Sequence, residues 1–143
     1  MSDATTPAGR LVTAFGHLDE MAAMYAPDVT WHLPAGLAQP PIAGIDAVRA
    51  FNEMVWTVSY SPDCEVEIHD EVGDGRTSAV RLTYRGFSLT TRQQYENQYT
   101  VFVRADADGI HEVHEAMDTV FMLDFLRGDQ PGASFARFIS GQT

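Results

Sequence analysis

The chain has 143 residues, 45% of them hydrophobic, with twenty acidic against nine basic residues and a net charge of −11. That length suits one domain, residues 1–143, with a core large enough to surround a cavity, and that apolar share excludes a disordered chain. The acid excess repels phosphate and argues against nucleic acid, and no run approaches the roughly 20 apolar residues of a membrane helix, so no membrane partner is expected.

Along the chain, Leu11, Phe15, Leu18, Ala22 and Tyr25 recur at helical spacing and predict a helix over residues 7–25. Thr6 and Pro7 supply its N-cap and first turn, and Gly16 is a point where it could divide in two. A short strand over 29–33 ends at Pro34, and a loop with Pro40 and Pro41 follows. The stripe Ile45, Val48, Phe51, Val55 and Val58 predicts a helix over 45–60, closed by Pro62. The period then changes to two, predicting strands over 64–72, 77–89, 93–104 and 110–123. Gly73-Asp74-Gly75 and Asp106-Ala107-Asp108-Gly109 provide hairpin turns. A tail helix over 133–139 would dock Phe135 and Phe138. Helices followed by an antiparallel meander predict an α+β fold with helices on one face of the sheet.

Several constellations reduce to structure. All nine basic residues are Arg, and the absence of Lys excludes Schiff-base chemistry, a pyridoxal phosphate anchor and a Walker-type phosphate loop. His111-Glu112-Val113-His114 is one residue short of the zinc-protease helix motif and lies in a strand, where its histidines face opposite ways, so no metal site is expected. Asp106-x-Asp108-Gly109 lacks the rest of a calcium loop. Gly73-Asp74-Gly75 leads into a strand, unlike a dinucleotide fingerprint. His17, His32 and His69 are scattered and read as partly exposed polar residues. Cys64, the only cysteine, starts a strand and reads as a small packed side chain in a reducing compartment. The first residues lack a basic start and an apolar run, so a cytoplasmic location is expected.

The later strands carry more chemistry. Tyr95, Asn97 and Tyr99 share a face with Val101 and Val103, and Val113, Glu115 and Met117 share a face on the last strand. A glutamate between apolar neighbours either lies on the solvated side or faces a cavity with a partner. Val80, Leu82 and Tyr84 read as core, which by alternation leaves Arg81 and Thr83 on the solvated face.

The stretch Tyr95-Glu96-Asn97-Gln98-Tyr99-Thr100-Val101-Phe102, then Asp108-Gly109-Ile110 and Glu115-Ala116-Met117-Asp118-Thr119, resembles the nuclear transport factor 2-like superfamily, and more narrowly its SnoaL-like branch. Tyr25-Ala26-Pro27-Asp28 through Trp31-His32-Leu33-Pro34 resembles the first strand of that family, and Gly44-Ile45-Asp46-Ala47-Val48 the start of its third helix. The resemblance implies a cone: a strongly curved antiparallel sheet wrapped around N-terminal helices and enclosing one pocket. It also implies a family of isomerases, polyketide cyclases, dehydratases and limonene-epoxide-type hydrolases, often homodimeric through the sheet.

Carried over residue by residue, the isomerase base falls at Leu33, which accepts no proton. The Arg, Asp and Asp of the epoxide hydrolases fall at Arg81, Thr83 and Glu115, and the tyrosine before the terminal aspartate Asp118 is replaced by Ala116. This alignment turns Arg81 and Glu115 inward, against the alternation. The resemblance therefore implies a cofactor-independent acid–base enzyme acting on a small apolar oxygenated molecule. Glu115 or Asp118 would move the proton beside Arg81, and Asn97 and Tyr99 would donate to an oxygen. Trp31, Leu33, Trp56, Thr83, Tyr95 and Met117 would complete the pocket. The alternative is a non-catalytic small-molecule-binding or dimerisation module. A homodimer is expected through a convex face carrying Phe102, Val80 and Tyr84.

Overall fold

In the computed structural model, which describes residues 4–141, the first helix starts where Thr6 and Pro7 predict. The Thr6 hydroxyl accepts from the Gly9 N–H at 3.1 Å, and α1 runs Pro7–Thr13. Gly16, at φ +86°, then divides the predicted helix, because a Cβ there would stand 2.2 Å from the Pro62 carbonyl oxygen. Helix α2 (Leu18–Met24) leads directly into β1 (Tyr25–His32), a longer strand than the sequence predicts. A 3₁₀ turn (Ala35–Leu37) and β2 (Ile42–Ala43) precede α3 (Ile45–Met54).

The predicted continuation of α3 to residue 60 is replaced by one wide turn, Val55–Ser59, in which Tyr60 N–H donates to the Val55 carbonyl at 2.8 Å. This i→i+5 bond inserts an extra residue into the helical period. It carries Trp56 inward, 4% exposed, and leaves Val58 58% exposed, so the expected stripe breaks at its last member.

Four strands complete the sheet: β3 (Glu65–Gly73), β4 (Thr77–Phe87), β5 (Gln94–Asp106) and β6 (Gly109–Met117). The order is β2-β1-β6-β5-β4-β3. Four of the five pairings are antiparallel, as expected, while β1 runs parallel to β6. The α3 segment starts the meander at the far edge, running opposite to β1, and three hairpin reversals bring β6 back in the direction of β1. Register shifts at Ile68/Asp70 and Arg104/Ala105 mark irregularities of the kind that bend and twist a sheet. The result is a curved, unclosed α+β sheet, consistent with a cone, with α1 across β3, β4 and β5 and α3 against β1.

The inner face carries Trp31, Val80, Leu82, Tyr84, Tyr95, Val101, Val103 and Val113, all buried. Val80 and Tyr84 therefore belong to the core and not to the convex face assigned to them, while Phe102 does lie on the outer side, edge-on to His114. The predicted strand over 110–123 ends at Met117. Asp118 caps a new helix, α4 (Thr119–Leu126), its carboxylate accepting from Phe121 N–H at 2.9 Å. The apolar run 120–123 suits either period, and the cap decides for helix. Helix α5 (Ala133–Ile139) forms as predicted, but Phe135 and Phe138 are 61% and 75% exposed and do not dock. Polar bonds hold α5 instead: the buried Asp124 accepts from the Ser134 hydroxyl and N–H. Among the described residues, no helix is long and apolar enough to cross a membrane.

Candidate functional site

Between the inner face of the sheet and the helices lies an apolar cavity of about 410 Å³. Phe15 in the turn after α1, Phe51 of α3, the wide turn's Val55, Trp56 and Ser59, and Tyr60 just beyond it form one wall. Trp31, Tyr84, Tyr99, Glu115 and Met117 rise from the sheet, and Met122 and Leu126 reach in from α4. Strand alternation places these sheet residues. Val101 pairs with Glu115 and Tyr99 with Met117, while Trp31 pairs with Val113, one inward position short of Glu115.

Glu115 is the one carboxylate in this lining. Trp31 Nε1 donates to its Oε1 at 3.2 Å, and among the described residues no Arg or His stands within ion-pair distance. Burial pushes its pKa up to about 7, against the weaker opposing effect of the Trp31 bond. At neutral pH the group is divided between acid and carboxylate.

The phenols form the second polar element. Asn97 is oriented without ambiguity: its Oδ1 accepts from Gln98 N–H at 2.8 Å, and its Nδ2 donates to the Asp118 carbonyl at 3.0 Å. The same Nδ2 donates to Tyr95 Oη at 2.8 Å, and Tyr95 Oη stands 3.0 Å from Tyr99 Oη. Either phenol can donate in the Tyr95–Tyr99 bond, and when Tyr95 donates, the Tyr99 proton is free to point into the cavity. Burial holds the Tyr99 phenol well above its usual pKa, with the neighbouring Tyr95 and Glu115 adding to the shift, so it stays a neutral donor. Trp56 Nε1 donates to Tyr84 Oη at 2.9 Å, and burial likewise raises the Tyr84 and Tyr60 phenols.

The fold has known counterparts. The family model described as SnoaL-like domain matches residues 10–121. The chain belongs to the SnoaL-like family. Its fold is shared with a candidate SnoaL-like polyketide cyclase from a Jannaschia species, at 13% identity over 87% of this chain and 93% of that one, with a TM-score of 0.71. It is also shared with an NTF2-like protein of unknown function from Burkholderia pseudomallei, at 21% identity over 84% and 94%, TM-score 0.70. TerC co-crystallised with polyporic acid is similar at 14% identity over 85% and 98%, TM-score 0.68. At these identities the likeness is one of fold. No curated protein matches the chain.

This SnoaL-like domain brings together Trp31, Leu33, Trp56, Tyr99, Glu115 and Met117 of the residues expected in the pocket. Five others lie elsewhere. Arg81 is on the outer face, its Nε 2.7 Å from Asp70, so the expected Arg81–Glu115 pair does not form. Thr83 shares that face, bonded to His69 at 2.7 Å and Gln98 at 2.9 Å. The alternation was the better guide to both, because β4 is regular and its even positions are inward. Tyr95 and Asn97 face inward but sit behind the lining, where Phe121 and Phe125 of α4 cover Tyr95. Both of the Asn97 donor bonds are satisfied within the protein. Asp118 is exposed and engaged as the α4 cap. Sequence reasoning missed Tyr60, because only the wide turn aims it inward, and Met122 and Leu126, because they were read as strand or left unassigned. Phe15 and Phe51 carried a signal, as members of the helical stripes.

Proposed function

We propose that this SnoaL-like domain is a cofactor-independent acid–base enzyme acting on a small, neutral, apolar molecule that bears oxygen, of polyketide, steroid or terpenoid type. Members of the fold include polyketide cyclases and isomerases, and the observation that carries the reading here is Glu115. It is a carboxyl group with pKa about 7 in an apolar cavity, with no cation beside it among the described residues. A base with that pKa is matched to proton transfer at neutral pH. In the proposed step the Glu115 carboxylate takes a proton from carbon next to a carbonyl. The electron pair moves onto the carbonyl oxygen, Tyr99 donates a hydrogen bond to that oxygen, and Glu115 returns the proton at the end of the cycle. With Arg81 and Thr83 outside the cavity, enolisation of the cyclase, isomerase or dehydratase kind is better supported than epoxide hydrolysis. Leu33, in the wall where the isomerases carry their base, favours keeping a second reading, a binding module without catalysis. A homodimer through the outer sheet face belongs to the same proposal. The Arg81–Asp70, Arg85–Glu96 and Arg104–Glu112 pairs on that face leave few bare charges to desolvate around Phe102.

The test is solvent exchange on a carbon acid that fits the cavity. Deuterium uptake by 2-tetralone in heavy water, followed by proton NMR, should be accelerated by the wild type. In Glu115→Gln that acceleration should fall by ~10²–10⁴ while 2-tetralone still binds. If both proteins bind the ketone and neither accelerates exchange, the enzyme reading falls and the binding module stands.

A further inference from the structure

The parallel pairing of β1 with β6 does something on the outer face that neither strand shows alone. It sets His32 directly opposite His114 and Thr30 opposite Glu112. Glu112 and His114 are two residues apart on one strand, so all three side chains leave the sheet on the same side. The two imidazoles lie 4.1 Å apart and nearly parallel, and His114 Nε2 stands 3.2 Å from Glu112 Oε1. One donor atom from each of the three residues falls within 4.8 Å of the others.

We propose that His32, His114 and Glu112 form a binding site for a divalent ion of the zinc class on the outer face of the sheet. Two neutral imidazoles and one carboxylate make up a three-ligand set that leaves a fourth position for water. This chemistry selects zinc and its first-row neighbours over magnesium and calcium, which take oxygen ligands. Donors in a tetrahedral zinc site stand about 3.3 Å apart, given bonds of about 2.0–2.1 Å. The two rings therefore have to tilt toward each other by roughly an ångström or more. Further contacts already orient the ligands. Thr30 Oγ1 is 3.2 Å from His32 Nε2, and Arg104 Nε is 3.3 Å from Glu112 Oε2, which leaves Oε1 on the histidine side. Partners of this kind fix the direction of metal ligands. The chain's net charge of −11 raises the local concentration of cations. The site lies on the opposite face of the sheet from Glu115 and is independent of the role proposed for the cavity.

The His111-x-x-His114 spacing plays no part in it. His111 turns instead to Asp28 and Asp106 at the end of the strand, forming a second acidic group with Asp108. That separation supplies the control. Calorimetric titration of the full chain with zinc chloride, in a non-chelating buffer at pH 7.5, should show one equivalent bound. Cobalt(II) should give the visible bands of a four- or five-coordinate nitrogen and oxygen site. His32→Ala and His114→Ala should each weaken zinc binding at least about tenfold, and proton NMR should shift the ring signals of these two histidines on adding zinc. His111→Ala and His17→Ala should leave the affinity unchanged. Loss of binding in His111→Ala with none in His114→Ala, or no saturable heat with the wild type, overturns the proposal. Apo thermal melts of each variant separate loss of a ligand from loss of fold.

Discussion

Glu115 ties the cavity to stability as well as to chemistry. Its folded pKa of about 7 lies above the ordinary glutamate value, so the native state holds the extra proton between those two pH values. An acid with a raised folded pKa contributes fully at low pH, and stability is lost as pH rises toward the folded value. The shift corresponds to about 3 kcal/mol, lost between about pH 4.5 and 7. Glu115→Gln has no such dependence. The difference in unfolding free energy between variant and wild type, from urea titrations at pH 4.5 and pH 8, should therefore grow by about 3 kcal/mol in favour of glutamine. A difference that stays constant with pH would show that Glu115 titrates normally. The Trp31 bond is too weak to offset the burial, and the Arg81 that sequence comparison offered as a partner is held by Asp70 across the sheet.

At the scale of elements, two helix ends shape the cavity. The wide turn Val55–Ser59 exchanges Val58 for Trp56 on the buried side and points Tyr60 at the pocket. The Asp118 cap stops β6 and starts α4, whose Met122 and Leu126 line the cavity. Asp118 and Glu115 are the two carboxylates offered for proton transfer, and the cap separates their roles. Asp118→Ala should cost ~1 kcal/mol of stability, whereas Asp118→Asn, an equally good cap, should cost little. Neither variant should slow 2-tetralone exchange beyond the loss of folded protein. A 10²–10⁴-fold loss of exchange in Asp118→Asn would transfer the proton-moving role from Glu115 to Asp118.

For the molecule as a whole, two surfaces are available for assembly. The outer face of the sheet is a field of paired charges around Phe102. The α4–α5 side exposes Val120, Leu126, Phe135, Phe138 and Ile139. The proposed homodimer uses the first. Light scattering at micromolar concentration should return a dimer mass that Phe102→Asp reduces to a monomer and Phe135→Asp does not. A monomeric wild type would contradict the dimer, and a dimer lost only in Phe135→Asp would place the interface on the helices.

The sequence by itself determined the α+β order, the helix start at Thr6, the break available at Gly16, and the inward faces of β4 and β5. These are local matters, governed by backbone sterics, capping and side-chain alternation, and they are written within a few residues of where they act. It also singled out Glu115, since a carboxylate between Val113 and Met117 on one strand face has either a solvent or a cavity to meet. Only the tertiary structure decided which. That required Trp31, eighty-four residues away in sequence, to arrive beside it, and Phe15, α3 with its wide turn, and α4 to close the cavity over it. The same long-range pairing placed His32 against His114, and it left Arg81 to Asp70 by keeping β4 regular. Burial and partner identity depend on strands that meet only after the chain has crossed the sheet, so no local period could encode them.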